Sequence, residues 1–224
     1  MRLALFDLDH TLLPLDSDHA WGQYTVKIGW RDAEGFARRN DAFYQQYKNG
    51  TLDIHDYIQF ATEAIRERGQ AAAEAAREGF MAEVIAPAIR PAARALLQHH
   101  REAGDRIVIV TATNAFVTRP IATALGVADL IAIELEQGSG EAGWLTGRIA
   151  GTPSFREGKI TRVEQWLAAQ GLDWGAVGHS VFYSDSMNDL PLLERVDEPV
   201  ATNPDERLRA LAQARGWTIR DLFA

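Results

Sequence analysis

The chain has 224 residues, of which 46% are hydrophobic and 24% charged, and it carries a formal net charge of −8 at pH 7. Those values suit a globular chain able to bury a sizeable core, and the negative balance argues against a phosphate-backbone binder, which carries a basic face. The sequence has no cysteine, which excludes disulfides and thiolate metal sites and leaves oxygen and imidazole as the only metal ligands.

In chain order, the first element is the apolar run Leu3 to Phe6, which reads as a short strand buried on both faces and ends in "DLD", Asp7 to Asp9. If the strand runs on to Asp9, the two carboxylates project from one face, and they repel each other unless a cation, a shared proton or solvent relieves them. His10 would then point the opposite way, as a support residue. From Ser17 to about Ala86 the patterns are helical, with "HAWGQYTVKIGW", "GFARRNDAFYQQYKNG" and "TLDIHDYIQFATEAIRERG". "RPAARALLQHHREAG" (Arg90 to Gly104) predicts a helix stopped by glycine. It leads into a second strand, Ile107 to Val110, that ends at Thr111.

"DLIAIELE" (Asp129 to Glu136) predicts a further strand, and the Gly-rich stretch Glu134 to Gly151 predicts a β-hairpin or irregular flap. Gly158 to Gly171 predicts a helix, Val181 to Tyr183 a third buried strand running into Ser184 and Asp185, and Pro199 to Asn203 a weaker strand. Asn203 is the expected N-cap of a last helix with Pro204 at its first position. Strand and helix alternate, so the expected fold is α/β, a doubly wound parallel sheet. No run approaches the ~18 apolar residues of a membrane span and no signal-peptide pattern opens the chain. The expectation is a cytoplasmic protein with no membrane or nucleic-acid partner; the sequence leaves its oligomeric state open.

Ligand crevices of open parallel sheets lie outside the carboxyl ends of the strands, where Asp7, Asp9, Thr111 and Asp185 all fall. Asp7, Asp9 and Asp185 could form an acidic oxygen site suited to Mg²⁺. A phosphoryl group held there would be open to a carboxylate nucleophile. Thr111, with Thr113 as a competitor, and Lys159 could then serve the remaining phosphoryl oxygens. Each residue alone has a commoner explanation: Asp pairs cap turns, Thr is an ordinary strand former, and Asp189 could merely begin a helix.

Together the residues resemble the motifs of the haloacid dehalogenase (HAD) superfamily, and within it the phosphoserine-phosphatase-like subfamily IB. "DLDHT" is similar to its first motif, Thr111 in "IVIVT" to its second, Lys159 in "REGKI" to its third and "SDSMNDLPLL" to its fourth. The resemblance implies a Rossmann-like core, residues 1–16 and 87–224, with an all-helical type-1 cap, residues 17–86, inserted after the first strand. It implies Asp7 as a nucleophile that becomes an aspartyl-phosphate. Asp9 would be the proton donor and acceptor and would bind Mg²⁺ through its backbone carbonyl. Asp7 and Asp185 complete the implied metal ligands, Thr111 and Lys159 hold phosphoryl oxygens, Asp189 orders Lys159 or metal-bound water, and Asn188 contacts phosphate.

The same resemblance points to the substrate. In phosphoserine phosphatases a Glu nine residues after the nucleophile contacts the substrate amine, and that position is Asp16 here. Arg38, Arg39 and Lys48 lie in the insert, but none sits in a motif that would make it a receptor for the serine carboxylate. The expected substrate is therefore a small phosphomonoester bearing an amine, histidinol-phosphate-like or phosphoserine-like. Phosphotransfer to another acceptor, or phosphoester binding without turnover, are the alternatives; the intact set of motif residues weighs against the second.

Overall fold

The computed structural model describes residues 1–139 and 144–223. Six parallel strands form the main sheet in the order β3-β2-β1-β6-β7-β8. They are β1 (Arg2–Phe6), β2 (Arg106–Asn114), β3 (Asp129–Ile133), β6 (His179–Ser184), β7 (Glu198–Thr202) and β8 (Thr218–Arg220). The first strand lies at the centre, Leu3 pairing with Arg106 on one side and Ser180 on the other.

Alternation along β1 and β2 divides the core. Ala4, Phe6, Ile107 and Ile109 pack with α6 (Pro91–Glu102) and α7 (Ala115–Ala124) on one face. Leu3, Leu5, Val108 and Val110 pack with α8 (Glu157–Ala168), α9 (Leu190–Leu193) and α10 (Glu206–Arg215) on the other. Apolar residues on both faces are what a sheet covered by helices on each side requires. This is the doubly wound α/β fold expected.

Four helices follow β1: α1 (Ser17–Lys27), α2 (Ala33–Asn49), α3 (Ile54–Arg68) and α4 (Gln70–Phe80). Asp16, Asp32 and Asp53 cap the first three through side-chain oxygens that accept backbone N–H bonds, each cap contributing about 1 kcal/mol. A π-helical turn, Met81–Ile85, and the short α5 (Ala86–Ala88) return the chain to the sheet. Phe36 stacks on Phe60 at 5.7 Å between α2 and α3, and Trp21 meets Phe80 and, on α7, Phe116 edge-on. The helical insert is therefore packed on the sheet domain as well as within itself. It also reaches the strand ends, where the Tyr47 hydroxyl lies 2.9 Å from Ser186 Oγ.

Several expectations need correction. β1 stops at Phe6, and His10 sits at φ 57°, exposed in a turn; the two carboxylates are thus not successive outward positions of one strand, and His10 supports nothing from the opposite face. The run Asp129 to Glu136 is split at Glu134, with β4 (Leu135–Gln137) leaving the main sheet to pair antiparallel with β5 (Leu145–Ile149). That hairpin is the expected flap; its glycine-rich centre, residues 140–143, lies outside the described residues. The last helix is capped by Asp205 rather than Asn203. Asn203, at φ 47°, instead donates to the His10 carbonyl and accepts from the Leu222 and Phe223 amides. Among the described residues no helix is long and apolar enough to cross a membrane.

Candidate active site

The carboxyl ends of β1, β2 and β6 converge as the strand register requires. Asp7 continues the β1 to β6 ladder by donating its amide to the Tyr183 carbonyl at 2.9 Å. That contact fixes its side chain beside the turn after β6. Lys159, in the first turn of α8 and 2% exposed, bridges Asp7 Oδ1 at 2.8 Å and Asp189 Oδ2 at 2.7 Å. The Ser184 hydroxyl donates to the same Asp189 oxygen at 2.7 Å. Asp189 therefore does more than begin α9: its side chain makes no capping bond there and is spent on the lysine.

Burial opposes the Lys159 charge, but the carboxylates of Asp189 and Asp7 more than reverse it, holding the ammonium charged well above its ordinary range. Asp7 is raised to about 7 by burial, pulled back by the Lys159 charge and pushed up further by the charges of Asp189 and Asp9. A buried acid pair bridged by one lysine still carries an excess negative charge.

Asp9 is held differently. Its Oδ1 accepts from the Ser17 amide at 2.8 Å and its Oδ2 from the Thr113 hydroxyl at 2.8 Å. Burial and then the Asp16 charge raise it to about 6, against these hydrogen bonds. It is Thr113, the alternative to Thr111 in the sequence, that reaches Asp9; a register irregularity between Val110 and Asn114 in the pairing of β2 with β3 separates its placement from simple alternation. Thr111 is buried at the same strand end, its Oγ1 accepting from the Thr113 amide and its carbonyl accepting from the Ser154 hydroxyl. Its hydroxyl proton is left to donate.

The Asp185 carbonyl accepts from the Asp205 amide at 2.9 Å, but among the described residues its carboxylate accepts only a long bond, 3.4 Å, from Thr11 Oγ1. Burial, then the charges of Asp7 and Asp189, push its carboxyl well up. Asn188 accepts from Arg156 Nε at 3.4 Å. Asp16 is half-buried at the N-cap of α1, one oxygen taking the His19 amide, close enough to Asp9 to raise it.

The structure thus brings Asp7, Lys159, Asp189 and Asp185 into one cluster, with Asp9 beside it. Among the described residues no three acidic or imidazole side chains form a ready-made metal cage. The donor set still fits one hard cation: Asp7 has one oxygen without a hydrogen bond and Asp185 is almost unpartnered. Both are destabilised as anions, a condition a divalent ion reverses. Waters complete the shell of such an ion.

These shifts predict a pH effect. A carboxyl raised in the folded state keeps a proton that the unfolded chain releases, so stability is lost as pH rises between the two values. For Asp9, raised from 3.8 to about 6, and Asp18, raised to about 7, the window runs from about 4 to about 7. Asp105, against burial, and Asp197 are shifted down by hydrogen bonds from His100 and Arg2 and from Ser180, so their contribution grows with pH up to the ordinary carboxyl value and does not fall at any higher pH in the window. The expected result is a thermal midpoint that falls from about pH 4.5 to about pH 8 in metal-free buffer. A midpoint rising across that range would contradict the assigned shifts.

Comparison with known proteins bears on the family to which the chain belongs. Residues 4–194 match the family model described as haloacid dehalogenase-like hydrolase. A histidinol-phosphatase of Neisseria meningitidis is 47% identical over 219 residues, 97% of each chain. A phosphoserine phosphatase of Mycobacterium tuberculosis is 34% identical over 221 residues, 97% of this chain and 70% of that protein. A solved Bordetella pertussis protein of unknown function superimposes with a TM-score of 0.92 at 49% identity, covering 99% of each chain. A substrate-bound phosphoserine phosphatase shares the fold with a TM-score of 0.67 at 16% identity, covering 98% and 92%. The chain belongs to the haloacid dehalogenase-like hydrolase family, as an enzyme of its phosphatase class.

Proposed function

We propose that the protein is a Mg²⁺-dependent phosphomonoester hydrolase working through an aspartyl-phosphate on Asp7, with histidinol phosphate as its first candidate substrate. The observation that carries this is the Asp7 carboxylate: one oxygen is fixed by Lys159 and the other has no hydrogen bond, with Asp9 held alongside by Ser17 and Thr113. A fixed nucleophile beside a proton carrier suits displacement followed by hydrolysis.

In this reading the free oxygen of Asp7 attacks phosphorus, the ester oxygen leaves, and Asp9 gives it a proton. Asp9 then takes a proton from the water that opens the acyl-phosphate, releasing phosphate and restoring Asp7. Lys159 and the Thr111 hydroxyl meet the remaining phosphoryl oxygens, and Asn188 sits at their edge. Asp7, Asp185 and the Asp9 carbonyl would hold Mg²⁺, which supplies charge neutralisation at the phosphoryl group. Residues 17–86 act as the cap over a core of 1–16 and 87–224, excluding water and selecting substrate.

The preference for an amine-bearing ester without a carboxylate, histidinol phosphate over phosphoserine, rests on the cap cations and on the relative from Neisseria meningitidis. Arg38 and Arg39 are engaged by Glu34 and Glu63, and Lys48 lies 4.6 Å over the Tyr44 ring. None of these observations makes them receptors for a serine carboxylate. A cysteine-free chain is at home in a reducing compartment, and we read it as cytoplasmic.

The test is phosphate release from histidinol phosphate, phosphoserine, phosphoethanolamine, sugar phosphates and nucleotides, with Mg²⁺ and with EDTA. Release should be concentrated on an amine-bearing ester and abolished by EDTA. Turnover unaffected by EDTA would remove the metal. No release from any ester by a folded protein would favour transfer to another acceptor.

A further inference from the structure

Beside the reacting groups lies a carboxylate that the reaction scheme does not use. Asp18, in the first turn of α1, is 6% exposed, and its Oδ1 accepts from the Asn114 side-chain amide at 3.3 Å. Its Oδ2 is buried and has no hydrogen-bond partner among the described residues. One residue earlier the Ser17 hydroxyl, at 0% exposure, is also without a partner, although the Ser17 amide holds Asp9. Two orphaned polar atoms thus sit on the turn of helix that touches the proton carrier.

A buried carboxylate without a partner is costly, and such groups in native proteins call for an explanation. Helix-dipole stabilisation explains an acid in a first helical turn, but not one sealed from water with an oxygen unpaired. The groups facing it do not resolve the charge. Asp16 and Asp9 add negative charge from the segment after β1, and Tyr57 approaches from α3 as a neutral phenol, near enough for its hydroxyl to favour the Asp18 charge somewhat but not placed to close a hydrogen bond on Oδ2. Arg31 is the cation whose charge reaches Asp18, and it is last among the influences on it. Its guanidinium donates to the Phe60 carbonyl at 2.6 Å and rests 5.4 and 4.9 Å from the Phe36 and Phe60 rings. No ion pair to Asp18 forms among the described residues. Asp16, by contrast, is half-exposed and already caps a helix.

We propose that Asp18, with Tyr57 and Asn114 around it, receives the cationic end of the substrate and is the main determinant of selectivity for amine- or imidazole-bearing phosphomonoesters. The proposal rests on the phosphatase reading above. An ammonium or imidazolium would supply the charge that the site lacks and donate to the free Oδ2. Asp18 and Tyr57 belong to the helical insert and Asn114 to the sheet, so the seam between them must part to admit substrate and would be drawn together by it.

The decisive variant is Asp18→Asn, which keeps shape and an acceptor for Asn114. Steady-state kinetics on histidinol phosphate and on p-nitrophenyl phosphate, which has no cation, are compared with the parent enzyme. The kcat/KM for the cationic ester should fall on the order of tenfold or more relative to the other, through KM. Calorimetry should show histidinol binding lost, and the thermal midpoint of the free variant at pH 8 should hold or rise, because an unpaired buried charge has been removed. A midpoint that drops, or two esters affected alike, would make Asp18 a structural strut and overturn the proposal. A parent enzyme that hydrolyses p-nitrophenyl phosphate with no preference for the cationic ester would also overturn it, sparing the phosphatase. If the parent hydrolyses neither these esters nor any of the panel above, the phosphatase reading fails; histidinol binding that depends on Asp18 would still support this inference, and its absence would overturn it.

Discussion

Replacing Asp7 by Asn is expected to abolish phosphate release while leaving a folded protein. The substitution is nearly isosteric and its cost to the fold is bounded, because Lys159 keeps Asp189 as a partner at 2.7 Å. An amide oxygen can still accept from the lysine, but it cannot attack phosphorus to form a stable acyl-phosphate. Loss of a nucleophile that acts as part of a unit costs at least about 10⁴-fold in kcat. Phosphate release measured beside circular dichroism checks both halves. Near-normal turnover in the folded variant would rule out Asp7 as nucleophile, and with it the covalent route.

Lys159→Met should strike both stability and turnover. The lysine is 2% exposed and is the shared partner of two buried acids. Removing it leaves those carboxylates facing each other, and breaking a buried pair in this way costs roughly 3–5 kcal/mol. For a chain of this size the fall in thermal midpoint would be on the order of 10 °C. Without the ammonium the carboxyls shift further up, so the loss should be larger at pH 8 than at pH 5. Adding Asp189→Asn in the same chain should recover part of it, the signature of coupled neighbours. A single variant as stable as the parent across that pH range would mean the acids are neutral in the native state and need no counter-ion.

The parts of this molecule legible in its sequence are those governed by local pattern. β1, β2 and β6 are short apolar runs covered by helices on both faces, and their polar carboxyl ends marked the site. Asp7, Lys159 and Asp189 fall where the motif resemblance put them in order, and the structure shows them in contact. The supporting residues were less legible. Thr113 reaches Asp9 where the outer pairing of β2 loses its regular register, and the Asp7–Asp9 segment leaves the strand after Phe6, ahead of a turn in which His10 sits at φ 57°; neither departure has a periodic signature. β8 has three residues, too few to show a pattern, and takes its strand geometry from β7. Asp18 is illegible in the sequence for the opposite reason. Its position in a first helical turn is ordinary, and only the closure of α3 and β2 around it makes it unusual.

The central position of β1 also has a consequence for how the chain acquires its structure. The strand that leads into Asp7 is made before its partners, which begin at Arg106 and His179, so its backbone groups wait for chain synthesised far later. The intervening helices can form from local contacts during that interval, whereas the sheet requires closures of about 100 and 180 residues, the slow class of folding event. Until those closures occur, Leu3 to Phe6 is an exposed apolar strand with two open edges, the kind of segment that invites pairing with other chains. Aggregation during refolding should therefore respond to the edges of β1 and β6 before it responds to anything in the helices above them.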